Sequence, residues 1–175
     1  MNATIQTKFT LPGIAIWYVV ALVIIMVTPV SYAGEPFEIS THDVEVYGTY
    51  DIVDGEYEKA IDRLQRALKR TGNSSRRRVP YLTNLCVAYT MMRNLEKADK
   101  YCNEAIETQQ NLGLAYNNRG VFNIASGDYI AACADFESAL NQRGGGSAKR
   151  KNLSRCVDRL THKQLHATLA TPKQE

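Results

Sequence analysis

Residues 114–140 read LAYNNRGVFNIASGDYIAACADFESAL, and this stretch decides the fold. It predicts two short helices that meet at residues 126–128. Gly120 lies in the middle of the first helix, where a glycine costs about 1 kcal/mol relative to alanine. Ala132 and Phe136 lie four residues apart on one face of the second helix. A small residue opposite an alanine-rich face indicates that two helix backbones cross closely, with the aromatic ring filling the remaining space.

The helical hairpin recurs along the chain at a regular interval, which we call the repeat period. One period back from Gly120 lies Cys86, and one period forward lies Ser154. A further hairpin upstream carries Ala60, whose counterpart Ala98 follows by slightly more than one period, so four extra residues are expected within the loop 71–78. A fixed period of this kind is typical of repeat proteins.

The hairpins resemble those of the tetratricopeptide repeat (TPR) family, whose 34-residue helix–turn–helix follows W-x2-L-G-x2-Y…A-x3-F…P. Ala132-x3-Phe136 matches the second part of this pattern, and Leu85-Cys86-x2-Tyr89 matches the first with cysteine for glycine. The resemblance implies an all-α fold, a short TPR-like solenoid of about three helical hairpins plus a C-terminal capping helix.

The chain divides into seven segments on this basis. They are a signal peptide or uncleaved anchor (1–33), a lead-in (34–40), a degenerate first repeat (41–74), a second repeat (79–112), a third repeat (113–146), a capping helix (147–170) and a tail (171–175). A chain of 175 residues, 45% hydrophobic and 22% charged with a net charge of +3, suits one repeat domain and a short extra segment. Pro80 is expected in the first turn of its helix.

The N-terminal segment 1–33 has the parts of a secretory signal peptide. A lightly positive start and an apolar run precede small residues, which predicts cleavage between Ala33 and Gly34. An uncleaved membrane anchor is the alternative, since about 20 apolar residues span a bilayer, although the uninterrupted core covers only 14–28. Basic residues prefer the cytoplasmic side of a membrane, and none follows before Lys59. Both interpretations therefore export the repeats, which would be periplasmic, secreted or anchored outside the cytoplasm.

Four cysteines follow the signal segment, and an even number in an exported chain favours disulfide bonds, although four cysteines allow three pairings. In the helical arrangement Cys133 lies on the face expected to meet the last helix, which carries Cys156, and this pair is the first prediction. Cys86 and Cys102 lie on facing helices of the second hairpin and form the second predicted pair. Buried free thiols, which behave as small apolar residues, are the alternative.

The sequence contains no pattern typical of catalysis. His42, His162 and His166 lie at the two ends of the chain, none of them next to a plausible nucleophile, and the G-x-S-x-G, H-E-x-x-H and phosphate-loop motifs are absent. The spacing of His162 and His166 suits a metal ion, but two imidazoles without a third ligand are typical of a surface. We therefore expect no catalytic residue, no metal site and no cofactor.

The resemblance implies a protein-binding groove along the first helix of each hairpin. The residues expected to line it are His42, Glu45, Thr49, Thr83, Val87, Thr90, Asn117, Val121, Ile124, Lys151 and Arg155. Asn84 and Asn118, which lie one period apart, are instead expected to form hydrogen bonds across the hairpin.

The predicted function is an exported, non-catalytic adaptor that binds a peptide or an extended segment of another protein. Two alternatives stay open: a membrane-anchored assembly subunit of an envelope complex, and a binder of an anionic partner through Arg76, Arg77, Arg78 and the basic last helix. Nucleic acid is not expected, because no aromatic platform accompanies these arginines. Dimerisation through the first repeat also stays open.

Overall fold

The computed structural model describes residues 36–41, 48–72, 75–109, 112–144 and 146–170. These residues form seven α-helices: α1 (Thr49–Val53), α2 (Tyr57–Arg70), α3 (Ser75–Met91), α4 (Leu95–Thr108), α5 (Gly113–Ser126), α6 (Tyr129–Leu140) and α7 (Ala148–Ala170). This part of the chain contains no β-strand, and the all-α prediction is confirmed. The predictions for the signal segment, for His42 and Glu45, and for the tail lie outside the described residues.

The helices pack as three consecutive hairpins followed by α7. Helix α1 contacts α3, α3 contacts α5 and α5 contacts α7, while α2 packs on α3, α4 on α5 and α6 on α7. The first helices of the hairpins therefore form one inner row, and the second helices lie beside it. This is the arrangement of a helical solenoid, in which each hairpin buries its apolar face against its neighbours.

The turn inside each hairpin has the same local design. Gly55, Arg93 and Gly127 hold left-handed backbone conformations, with φ of 77°, 59° and 91°. In the second and third hairpins, the side chains of Asn94 and Asp128 then accept hydrogen bonds from backbone N–H groups of the following helix. Such caps satisfy donors that the first turn of a helix leaves without partners.

The close helix crossing expected at Gly120 is confirmed. Phe136 is fully buried, and a Cβ added to Gly120 would lie 2.5 Å from an edge carbon of its ring. Ala132 and Ala139 lie on the same helix as Phe136 and are also fully buried. The glycine thus provides the space that the aromatic ring occupies.

The prediction that residues 71–78 form a loop is wrong in its second half. Helix α3 begins at Ser75, so Pro80 lies inside the helix and not in its first turn. A proline this close to the N-terminus removes a single backbone hydrogen bond, and Arg78 ties the added turn to Glu104 of α4 at 2.6 Å. The extra residues of this hairpin lengthen a helix.

Two disulfide bonds connect the helices. Cys86–Cys102 joins α3 to α4 with an S–S distance of 1.98 Å, and Cys133–Cys156 joins α6 to α7 with 2.11 Å. These are the two pairs that the sequence favoured. Two disulfides indicate an oxidising environment. Within the described ranges, no helix combines the length and the apolar character that crossing a membrane requires.

Candidate functional site

Residues 36–41 lie against the inner row of helices, and we call them the lead segment. Its hydrogen bonds reach residues of α5 and α7 that follow 77 to 119 residues later in the chain. The surface of α5 and α7 that contacts the lead segment is called the inner groove. All side chains of the lead segment except that of Pro36 are half-buried.

Two asparagines of the inner groove pair with the backbone of the lead segment. Asn152 accepts the N–H of Glu38 at 2.8 Å and donates to its carbonyl at 2.7 Å. Asn118 does the same for Ser40, at 2.9 and 2.6 Å. In an extended chain the N–H and C=O of one residue point to the same edge, and every second residue repeats the pattern. The lead segment is therefore bound along one edge, as a β-strand would be.

The asparagines are linked to each other and removed from water. Asn117 donates to the Glu38 carbonyl at 3.1 Å and accepts from Asn152 at 2.9 Å. Asn117 and Asn152 are 0% exposed, and Asn118 is 2% exposed. A buried amide without a partner costs about 1–3 kcal/mol. An emptied inner groove would therefore need water or another chain to satisfy these amides.

Basic side chains of α7 bind the acidic residue of the lead segment. Lys151 Nζ and Arg155 Nη1 lie 3.0 and 3.4 Å from Glu38 Oε1. The hydrogen bond from Lys151, assisted by the charge of Arg155, holds the pKa of Glu38 below its ordinary 4.5. Arg155 also donates to the carbonyl of Pro36 at 2.8 Å. Because proline has no N–H, this carbonyl is the only backbone group of Pro36 that requires a partner.

The apolar side chains of the lead segment contact the core. The rings of Phe37 and Phe136 stack with centroids 5.6 Å apart, and the guanidinium carbon of Arg159 lies 4.8 Å from the Phe37 centroid. Ile39 packs against the apolar cluster that contains Val121 and Phe136. The segment is thus held by backbone, ionic and apolar contacts together.

Five of the residues predicted to line a groove gather at the lead segment. Asn117, Lys151 and Arg155 form hydrogen bonds with it. Val121 belongs to the apolar cluster against which Phe37 and Ile39 pack, and Ile124 packs against the same cluster.

The remaining predicted residues have other contacts. Thr83 and Thr90 are buried, and their hydroxyls donate to carbonyls one turn earlier in α3. Val87 lies in the core cluster that Ile39 also touches. Thr49 is buried and accepts a hydrogen bond from Asn84. The inner row is therefore more tightly packed at its N-terminal end than an open groove would be.

The prediction that Asn84 and Asn118 bond across a hairpin is wrong for Asn118. Asn84 bonds Thr49 at 3.0 Å and so joins α3 to α1, whereas Asn118 binds the lead segment. Asn152, which the sequence analysis missed, bonds Asn117 over the same sequence separation that divides Asn84 from Thr49. The sequence contained a signal for Asn152, because Asn84, Asn118 and Asn152 recur at the repeat period.

A second polar cluster stabilises the third hairpin. Arg119 forms two hydrogen bonds with the buried carboxylate of Asp135, at 2.9 and 2.7 Å, and a third with Asn103. The hydrogen bonds with Asp135 raise the pKa of Arg119. This cluster joins α4, α5 and α6 and has its hydrogen bonds satisfied internally, which is typical of a structural role.

The remaining candidate sites have few of the features of a binding site. His162 and His166 are exposed, with Nε2 atoms 3.1 Å apart. The described part of the chain contains no group of three side chains that could hold a metal ion. Arg78, one of the three consecutive arginines, is paired with Glu104.

Fold and site together define a class: an all-α, solenoid-like protein whose inner groove holds an extended chain. No protein-family model matches this sequence, and a search of curated proteins finds no significant relative.

Proposed function

We propose that this chain is a non-catalytic, TPR-type adaptor that binds an extended segment of another protein in its inner groove. The observation that carries the proposal is the pairing of Asn118 and Asn152 with the backbone of the lead segment. Main-chain hydrogen bonds supply affinity for an extended peptide irrespective of its side chains. An adaptor needs such a surface.

The inner groove suits this role because its polar groups are held in position. Asn117 and Asn152 bond each other, and the Cys133–Cys156 bridge joins α7 to the preceding hairpin. Groups fixed before a partner arrives reduce the ordering cost of binding. Most of the conformational entropy lost on binding would then be that of the partner's segment.

The proposed location is outside the cytoplasm, in the periplasm or in the secreted fraction, after cleavage between Ala33 and Gly34. The two disulfides support an exported protein. The alternative is an uncleaved N-terminal anchor with the repeats outside the cytoplasm, in an envelope assembly. An intact mass of the native protein separates the two, because the cleaved chain begins at Gly34 and the anchored chain at Met1.

A direct test must first weaken the lead segment, since a covalently attached segment competes at an effective concentration in the mM range. Phe37→Ala with Ile39→Ala removes its apolar contacts and leaves the inner groove unchanged. A fluorescein-labelled peptide of residues 34–41, GEPFEIST, should bind this double variant with a saturable rise in anisotropy.

The matched control adds Asn118→Leu and Asn152→Leu to the double variant and should abolish that binding while circular dichroism stays helical. If no extended peptide binds the double variant, the proposed function is wrong.

A further inference from the structure

We infer that the inner groove is specific for an extended segment that carries an aromatic, an acidic, an aliphatic and a small residue in that order. Residues 37–40 of this chain then compete with the partner's segment for the groove. The inference rests on the proposed function, because it specifies the ligand of the same groove. Each position of the pattern follows from a contact of the lead segment.

The carboxylate position follows from a basic stripe on α7. Lys151, Arg155 and Arg159 follow one another at intervals of four residues, which places them on one face of the helix. The first two lie 3.0 and 3.4 Å from the same oxygen of Glu38. A neutral side chain at this position would form neither ion pair, and a basic side chain would be repelled by Lys151 and Arg155.

The aromatic position follows from two planar groups. The Phe37 ring stacks on Phe136, with 7° between the ring planes, and meets the guanidinium of Arg159 at 4.8 Å. Stacking and cation–π contacts each require a flat π face. An aliphatic residue would fill the volume but would lose both contacts.

The aliphatic and the small position follow from the contacts of Ile39 and Ser40. Ile39 packs against two apolar clusters, the one that contains Val87 and the one that contains Val121, which favours an aliphatic side chain at this position. At the next residue, Asn118 bonds both backbone groups of Ser40, and the Ser40 hydroxyl lies 3.5 Å from Asn117 Nδ2. This close approach of backbone to helix favours a small side chain.

The competitor part of the inference follows from covalent attachment. The lead segment belongs to the same chain as the groove, and a short tether gives an effective concentration in the mM range. A free peptide with the sequence of the lead segment and a Kd near 1 μM for the empty groove would therefore bind the native protein roughly 1000-fold more weakly. A partner must either exceed the lead segment in affinity or bind when the segment is released.

The test measures anisotropy with three labelled peptides against the full chain. The peptides are GEPFEIST, the same peptide with glutamine for its second glutamate, and the same peptide with alanine for its phenylalanine. With the Phe37→Ala and Ile39→Ala variant, we expect GEPFEIST to bind at least 10-fold more tightly than either altered peptide. We also expect it to bind this variant at least 10-fold more tightly than the unmodified protein.

A charge variant provides the control for the carboxylate position. Adding Lys151→Glu and Arg155→Glu should remove the preference for glutamate over glutamine, while the preference for phenylalanine stays. If the variant with Phe37→Ala and Ile39→Ala does not keep its helical circular dichroism, Glu38→Gln alone weakens the binding of the lead segment more mildly.

The outcomes separate this inference from the proposed function. Equal affinity for all three peptides would overturn the inferred pattern and leave the adaptor proposal intact. Absence of binding by every peptide would overturn both. Equal affinity of GEPFEIST for the unmodified and the weakened protein would overturn the role of residues 37–40 as an intramolecular competitor.

Discussion

At the scale of single residues, helix packing leaves no room for a side chain at Gly120. A Cβ there would lie 2.5 Å from the buried ring of Phe136. Gly120→Ala gains about 1 kcal/mol of helix propensity, but overpacking in a core costs about 1–3 kcal/mol. We expect a net loss of stability and a melting temperature lower by a few degrees, measured by circular dichroism.

The control for this substitution is Ser154→Ala, which changes the exposed residue at the equivalent position of α7. Its melting temperature should match that of the unmodified protein, as for most surface substitutions. A Gly120→Ala protein as stable as the unmodified one would contradict the close crossing.

Arg93 has an unfavourable backbone conformation that a glycine would relieve. Its φ of 59° falls in the left-handed region, where the equivalent turns of the other hairpins have Gly55 and Gly127. That conformation costs a residue with a side chain roughly 1–2 kcal/mol. Arg93→Gly should raise the free energy of unfolding by up to about 1 kcal/mol, since glycine loses more entropy on folding.

Arg93→Ala is the matched variant, because it removes the guanidinium and keeps the Cβ. Urea denaturation should give it no comparable gain. Equal stability of the glycine and alanine variants would show that the turn is not strained at this residue.

At the scale of structural elements, the two disulfides have different tasks. Their cysteines are 16 and 23 residues apart, so the loss of either should cost a similar amount, about 3 kcal/mol. Of the two bridges, Cys133–Cys156 is the one that attaches to α7, the helix that carries Asn152. Replacing both of its cysteines by alanine should therefore also increase hydrogen exchange in the lead segment.

The matched control is the alanine replacement of Cys86 and Cys102, which lie within one hairpin. Under conditions where both proteins stay folded, mass-spectrometric hydrogen exchange should find the lead segment protected in this control. Equal exchange of the lead segment in the two variants would contradict the role of α7.

The lead segment should release in acid because its carboxylate is paired. The hydrogen bond from Lys151 holds the pKa of Glu38 below 4.5, so this contact stabilises the bound segment above that pH. The stabilisation is lost as the pH falls through the lowered pKa of the folded state. Exchange of the segment, corrected for intrinsic rates, should rise below pH 4.5 in the unmodified protein.

Glu38→Gln separates this effect from general acid denaturation. The variant should have a more mobile segment at neutral pH and a smaller further change in acid. A segment in the unmodified protein whose exchange is independent of pH down to the onset of global unfolding would contradict the ion pair.

At the scale of the whole molecule, the sequence predicts the row of helical hairpins because each hairpin is specified locally. Small residues recur at the positions of Gly120 and Ala132 in all three hairpins. The four residues inserted near Ser75 were misplaced, because a polar, arginine-rich stretch is equally compatible with a loop and with an exposed helical turn.

The position of the lead segment could not be predicted in the same way. Its hydrogen bonds join residues 77 to 119 positions apart, and a short alternation of apolar and polar side chains does not specify the surface on which it packs. Asn118 and Asn152 were visible as a repeat of asparagines. Their role depends on which chain meets them, and this is a property of the folded molecule.

The central claim is that the inner groove binds an extended chain through its buried asparagines. Amide hydrogen exchange by NMR tests it most directly, because the N–H groups of Glu38 and Ser40 are the donors to Asn152 and Asn118. The account predicts protection of both amides by about 100-fold or more over an unstructured peptide. Protection of Glu38 should fall in Asn152→Leu and that of Ser40 in Asn118→Leu. Exchange of both amides at the rate of an unstructured chain in the unmodified protein would contradict the claim.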